Sequence, residues 1–217
     1  MSANQRHRNN FIPREPHAGG FSRRLIYFPI VHTPADMGAL KESVARATLE
    51  KMGRAGLSRK RAAVDKIWTD IERFIDALAL SFGRVRLYQD GLPMCGRETE
   101  IITEMAQAGS RNHQLLLRLM AQGAILMGTE SGDLLVQEYQ AAKQSLRGRS
   151  PRAAGVAAQR RALSDALLKR RDQFIAERIN DTLKHGETGI LFLGMLHALE
   201  GYLKSDIQVI YPFHRPR

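Results

Sequence analysis

The chain has 217 residues, 43% of them hydrophobic and 25% charged, with a formal net charge of +11. That length suits one domain, and no apolar stretch approaches the roughly 18 residues that a membrane-spanning helix needs. A single cysteine, Cys95, excludes an internal disulfide and fits a reducing compartment.

Residues 1–21 are polar, carry Pro13, Pro16 and the pair Gly19-Gly20, and read as a flexible basic tail. They contain no apolar core of the secretory-signal kind, so a cytoplasmic protein is expected. The rest, 22–217, reads as a single α/β domain. Its first element is the strand Leu25 to Val31, followed by His32, Thr33 and Pro34. A helix is expected over 35–52, with Thr33 as a cap and Pro34 in its first turn. Gly53 and Gly56 break the pattern, and a second helix runs from Ser58 to about Phe82, with Ile67, Ile71, Phe74, Ile75 and Leu78 at three-and-four spacing.

RVRLY, from Arg84 to Tyr88, reads as a second strand leading into the turn-rich QDGLPMCGRE. Helices follow from Glu98 to Ala108 and after the N-cap Ser110. AILM, from Ala124 to Met127, is a third strand, with a helix from Asp133 to Leu146 beyond it. A hinge near 148–155 contains Gly148, Pro151 and Gly155. The next helix, Val156 to Lys184, has a buried stripe through Ala166-Leu167, Phe174-Ile175, Ile179 and Leu183. Strand Ile190 to Leu196, a turn or short helix over 198–203 and strand Ile207 to Tyr211 complete the order. Short apolar runs alternating with helices imply a mostly parallel central sheet of about five strands, with helices on both faces.

In a parallel sheet the C-terminal ends of the strands share one edge, where open α/β sheets bind ligands. Four strands deliver polar side chains there: His32 and Thr33, Gln89 and Asp90, Thr129 and Glu130, His197 and Glu200. Two imidazoles with Asp90 or Glu130 would serve as catalytic groups. They suit either a divalent metal (Zn, Mn or Fe) held by His32 and His197, or acid–base chemistry without metal. Gln89 and Thr33 are candidate substrate contacts. So is Arg171, if its guanidinium clamps an anionic group; the alternative is an exposed arginine paired with Asp172 or Glu177. Asp90 precedes Gly91 and also fits a turn former. Gly194, inside a strand pattern, marks close backbone approach. Cys95 precedes a helix, a position that can activate a thiol but more often holds an inert one.

Basic residues gather in the tail, in Arg59 to Arg61 and between Lys143 and Arg171, where Asp165 is the one acid. Such a run can track phosphates, but it equally makes a solvated helix face. Aromatics are 6% of the chain and none interleaves with it, which disfavours single-stranded nucleic acid.

Three segments resemble the TraB/Tiki, ChaN and erythromycin-esterase-like superfamily: PIVHT (Pro29 to Thr33), RDQFIAERI (Arg171 to Ile179) and LGMLH (Leu193 to His197). The resemblance implies a central sheet with helices and a site built from the two histidines, an acidic residue and the helix arginine. It also implies metal-dependent proteolysis, ester hydrolysis or haem binding. Together these features point to a hydrolase acting on a small molecule or peptide. The alternative is a non-catalytic binding protein for an anionic small molecule, haem or nucleic acid, and either reading is compatible with a homo-oligomer.

Overall fold

The structure, a computed structural model, describes residues 22–33, 41–147 and 154–213. The expected tail 1–21, Pro34 and residues 148–153 of the expected hinge lie outside them. Gly155 is described, and it lies within a helix.

Strand β1 (Arg23–Ile30) carries β-branched and aromatic residues and is buried on both faces. Leu25 and Tyr27 face one apolar cluster, while Ile26, Phe28 and Ile30 face the other. Strand β4 (Thr188–Gly194) does the same, with Leu191 and Leu193 on one side and Ile190 and Phe192 on the opposite side. With β2 (Val85–Gln89), β3 (Ile125–Met127) and β5 (Ile207–Ile210) they form a five-stranded sheet of order β3-β2-β4-β1-β5, and every pairing is parallel.

Helices cover both faces. On one side α1 (Lys41–Asp76) places Val64, Trp68, Ile71 and Ile75 against the sheet, with Ile102 of α2 (Glu98–Gln107) and Leu115, Leu116 and Leu119 of α3 (Arg111–Ala121). Ser110 caps α3 as expected, its side chain accepting from the His113 backbone N–H. On the other side α5 (Ala154–Thr182) contributes Ile175 and Ile179, and α4 (Gly132–Arg147) packs against α5. Full burial of each large aliphatic or aromatic side chain stabilises by about 1.5–3 kcal/mol. No helix among the described residues is long and apolar enough to cross a membrane.

Some elements depart from the sequence pattern and others follow it. The helices expected over 35–52 and 58–82 are broken at Gly53 as the pattern requires, with a φ of 66° that only glycine adopts without strain, but the second ends at Asp76, short of Phe82. The strand expected over 190–196 is Thr188–Gly194, because its pairing with β1 ends at Ile30↔Gly194. Met195 and Leu196, with no neighbour to pair with, turn outward and are 41% and 83% exposed. His197 is therefore on a turn beyond the strand. Residues 198–203 form turns, one of the two alternatives expected there. The stripe of α5 excludes the exposed Ala166 and runs instead through Arg171, Asp172, Ile175, Ala176, Ile179 and Leu183.

Candidate active site

The strand order brings β2, β4 and β1 side by side, so the residues following them meet at one edge. His32 comes from the segment after β1, Asp90 from the turn after β2, and His197 from the turn after β4. Asp90 is the hub. Its Oδ2 accepts from His32 Nε2 at 2.8 Å and from the Gly194 backbone N–H at 2.8 Å, and it lies 3.8 Å from His197 Nε2. Its Oδ1 accepts from Arg171 Nη2 at 2.8 Å. Both imidazoles thus face a single carboxylate oxygen, and the fold brings His32, His197 and Asp90 together. Asp90 also makes the turn with Gly91, whose φ is 73°. Turn and site are one feature.

Burial alone would raise the Asp90 carboxyl, but the hydrogen bond from His32 and the charges of His32, His197 and Arg171 outweigh it. The group is held well below the usual carboxylate range. Glu130 behaves oppositely. Burial and the neighbouring Asp90 charge push it up, against the opposing pull of Arg171 and the Gly91 N–H. One guanidinium cannot neutralise two buried carboxylates, and Glu130 is the weaker acid of the pair.

His197 is oriented from behind. Its Nδ1 is 2.5 Å from Asp172 Oδ1, and Asp172 Oδ2 accepts from the Ala198 backbone N–H at 3.1 Å. A carboxylate only accepts, so Nδ1 carries a proton and donates it to Asp172, which turns Nε2 toward Asp90. Asp172 is the residue that sequence reasoning missed as a functional group, having assigned it to an ion pair with an exposed arginine.

Arg171 is 3% exposed and is paired with neither Asp172 nor Glu177. Nε and Nη2 hold the two oxygens of Glu130 at 2.7 and 2.5 Å, Nη2 also reaches Asp90, and Nη1 holds Glu138 Oε1 at 2.5 Å. The guanidinium binds three carboxylates of the protein itself, so it clamps the site together and is not placed to hold a substrate. Glu130 is fully buried, and its oxygens are engaged by Arg171 and by the Gly91 N–H at 2.9 Å. It is structural to the clamp, which separates its role from that of Asp90.

Gln89 is also committed to scaffolding. Its Nε2 donates to the Asp90 carbonyl at 3.1 Å, and its Oε1 accepts from Asn112 Nδ2 at 2.7 Å. This chain fixes the direction of both amides and leaves the buried Asn112 Oδ1 without a hydrogen-bond partner among the described residues. Glu200 accepts from the Tyr211 hydroxyl at 2.5 Å and does not line the cavity. Cys95 is exposed in the loop before α2.

The three site groups lie at the floor of a cavity of about 1030 Å³, whose walls are largely apolar: Val44, Leu92, Ile101, Met105, Leu135 and Leu168. His32 also borders a second, smaller cavity of about 320 Å³, which is where Thr33 is found. Gly194 makes the floor possible. A Cβ there would stand 3.0 Å from Asp90 Oδ2, 3.4 Å from His32 Nε2 and 3.6 Å from His197 Cδ2. The close approach expected at this glycine is thus an approach of backbone to the site itself. Gly194→Ala is expected to displace Asp90 and His32 by a few tenths of an ångström. Its expected cost is a stability loss of roughly 1–3 kcal/mol, read from a denaturant melt.

Among the described residues, no group of three or more His, Cys, Asp and Glu side chains is arranged as a metal site. No family model, curated protein or solved structure matches this chain, so its superfamily resemblance rests on the short motifs alone.

Proposed function

We propose that the chain is a cytoplasmic hydrolase that cleaves an ester or related acyl bond in a largely apolar substrate. The observation that carries the reading is the line Asp172–His197···Asp90···His32 on the floor of the large apolar-walled cavity. Buried titratable groups converging in such a cavity are what acid–base catalysis requires.

In this reading His197 Nε2 takes a proton from a water molecule, whose oxygen attacks the substrate carbonyl carbon. The Nδ1 proton stays on His197 under Asp172, and Asp90, 3.8 Å from Nε2, stabilises the imidazolium that forms. His32 Nε2–H donates to Asp90 and so holds in place the carboxylate that faces this imidazolium. When the carbon–oxygen bond to the leaving group breaks, His197 returns its proton to that oxygen. One water and one ester become one acid and one alcohol.

A metal-assisted form uses the same residues. His32, His197 and Asp90 are not arranged as a metal site as they stand; with the His32–Asp90 hydrogen bond given up they would supply two nitrogens and a carboxylate oxygen to a divalent ion such as Zn, Mn or Fe, which would lower the pKa of bound water. The apolar walls also suit the non-catalytic alternative, a binding protein for an apolar ligand such as haem.

A panel of short- and medium-chain acyl esters separates these readings. Turnover that persists after chelation supports the acid–base form, and turnover lost on chelation and restored by one ion supports the metal form. His32→Ala, with its ring 30% exposed, is expected to fold normally and to lose at least about a hundredfold in kcat. Full activity in that variant, or no hydrolysis of any ester by the native chain, would remove the hydrolytic reading.

A further inference from the structure

We propose that the smaller cavity is a subsite for an anionic head group, so that the substrate is an amphipathic acyl compound with a carboxylate or phosphate on its leaving-group side. The inference rests on the hydrolytic reading above and names its substrate class. His32 and Val44 border both cavities, so the smaller one begins beside one of the site's two imidazoles. The larger has apolar walls and room for an acyl chain. The smaller, about 320 Å³, has an apolar base at Val64 and Trp68 and a rim that carries Lys60 and Arg61.

The charges on that rim are unequal in their commitments. Arg111, which also lines it, is held by Glu72 Oε2 at 2.8 Å, by Thr69 and by the Asp65 carbonyl. Lys60 and Arg61 make no ion pair or side-chain hydrogen bond among the described residues. One acid, Asp65, shares the rim, so the uncommitted charge there is positive in balance. Both cations come from the segment of α1 that follows the Gly53 kink, on the same helix as Val64 and Trp68. The helix therefore sets apolar base and charged rim at a fixed separation. A ligand with its acyl chain in the large cavity and its reacting carbonyl at His32 would extend its leaving group into this rim.

The test compares an anionic ester, octanoyl glycolate, with the neutral methyl octanoate, in the native chain and in Lys60→Gln/Arg61→Gln. The native chain is expected to prefer the anionic ester in kcat/KM, and the ratio of the two should fall about tenfold in the variant, the upper end of what two exposed charge contacts allow. The native preference should also shrink with added salt. No native preference, or a preference that the variant keeps, overturns the subsite while leaving hydrolysis intact. If neither ester is cleaved, the hydrolytic reading fails separately. Calorimetry then decides the subsite: octanoate or octyl phosphate must bind the native chain more tightly than octanol, and the variant must lose that difference. The tighter of the two anions identifies the head group, and equal binding of all three overturns the proposal.

Discussion

Asp172→Asn is expected to reduce kcat by about a thousandfold or more while leaving the fold and its melting temperature nearly unchanged. The reason lies in what the two oxygens of Asp172 do. One is 2.5 Å from His197 Nδ1 and the other accepts the Ala198 backbone N–H at 3.1 Å. Asparagine has one acceptor and one donor end. The Ala198 N–H demands the acceptor, so the amide nitrogen must face Nδ1 and drive the imidazole proton to Nε2. That is the wrong tautomer for a base, and a correctly placed general base contributes roughly 10²–10⁴-fold. His197→Ala removes the base outright and should cost at least as much. A positioning role has its own signature: in Asp172→Asn the pH profile of the surviving activity should lose its acidic limb, the one a general base produces, whereas Asp172→Glu should recover part of kcat. A variant keeping more than about a tenth of native kcat with an unchanged profile would remove His197 from the proton-transfer step.

Much of this site was legible in the chain before folding, and the reasons are specific. β1 and β4 are short apolar runs buried on both faces, so their existence and the polar residues beyond them could be read directly. That parallel strands share one edge then placed His32, Asp90 and His197 together. Which strands are neighbours could not be read. The order β3-β2-β4-β1-β5 inserts β4 between β1 and β2, and only that insertion makes one carboxylate oxygen common to both histidines.

The division of labour between Asp90 and Glu130 was equally hidden, because it depends on which of them Arg171 encloses. Asp172 was missed for a more local reason. A buried stripe was sought among apolar residues, and Arg171-Asp172 looked like an exposed ion pair. The spacing held a signal all the same. Positions 171, 172, 175, 176, 179 and 183 follow the three-and-four rhythm of one helix face, and two charges on that face imply buried partners. Gly194 was read correctly as a point of close approach, since a glycine in a buried strand otherwise weakens it.

Arg171→Met is expected to be the most destabilising substitution at the site, by about 3–5 kcal/mol. For a chain of this size that corresponds to a fall of roughly 10 °C in Tm. Methionine fills most of the volume, so the loss is electrostatic: Asp90 and Glu130, both buried, would keep their charges without the cation that now joins them. The pH dependence follows from the two carboxyls and carries a definite sign. Asp90 is held low in the folded chain, so its contribution is present above the ordinary carboxylate range and is lost as pH falls. Without Arg171 its pKa rises and that contribution shrinks. Glu130 is already raised, and a raised group stabilises below its unfolded value and loses this as pH climbs through its folded value. Without Arg171 it rises further, widening the range over which ionisation opposes folding. The Glu130 change makes the deficit against the native chain largest near neutrality and smaller toward about pH 4, whereas the Asp90 change persists there and fades only below the ordinary carboxylate range, a trend that urea midpoints across pH would resolve. A deficit independent of pH would assign the loss to packing. The orphaned charge can also be removed directly: Glu130→Gln in the Arg171→Met background should recover a substantial part of the stability, because a neutral amide in place of the carboxylate leaves no second buried anion beside Asp90.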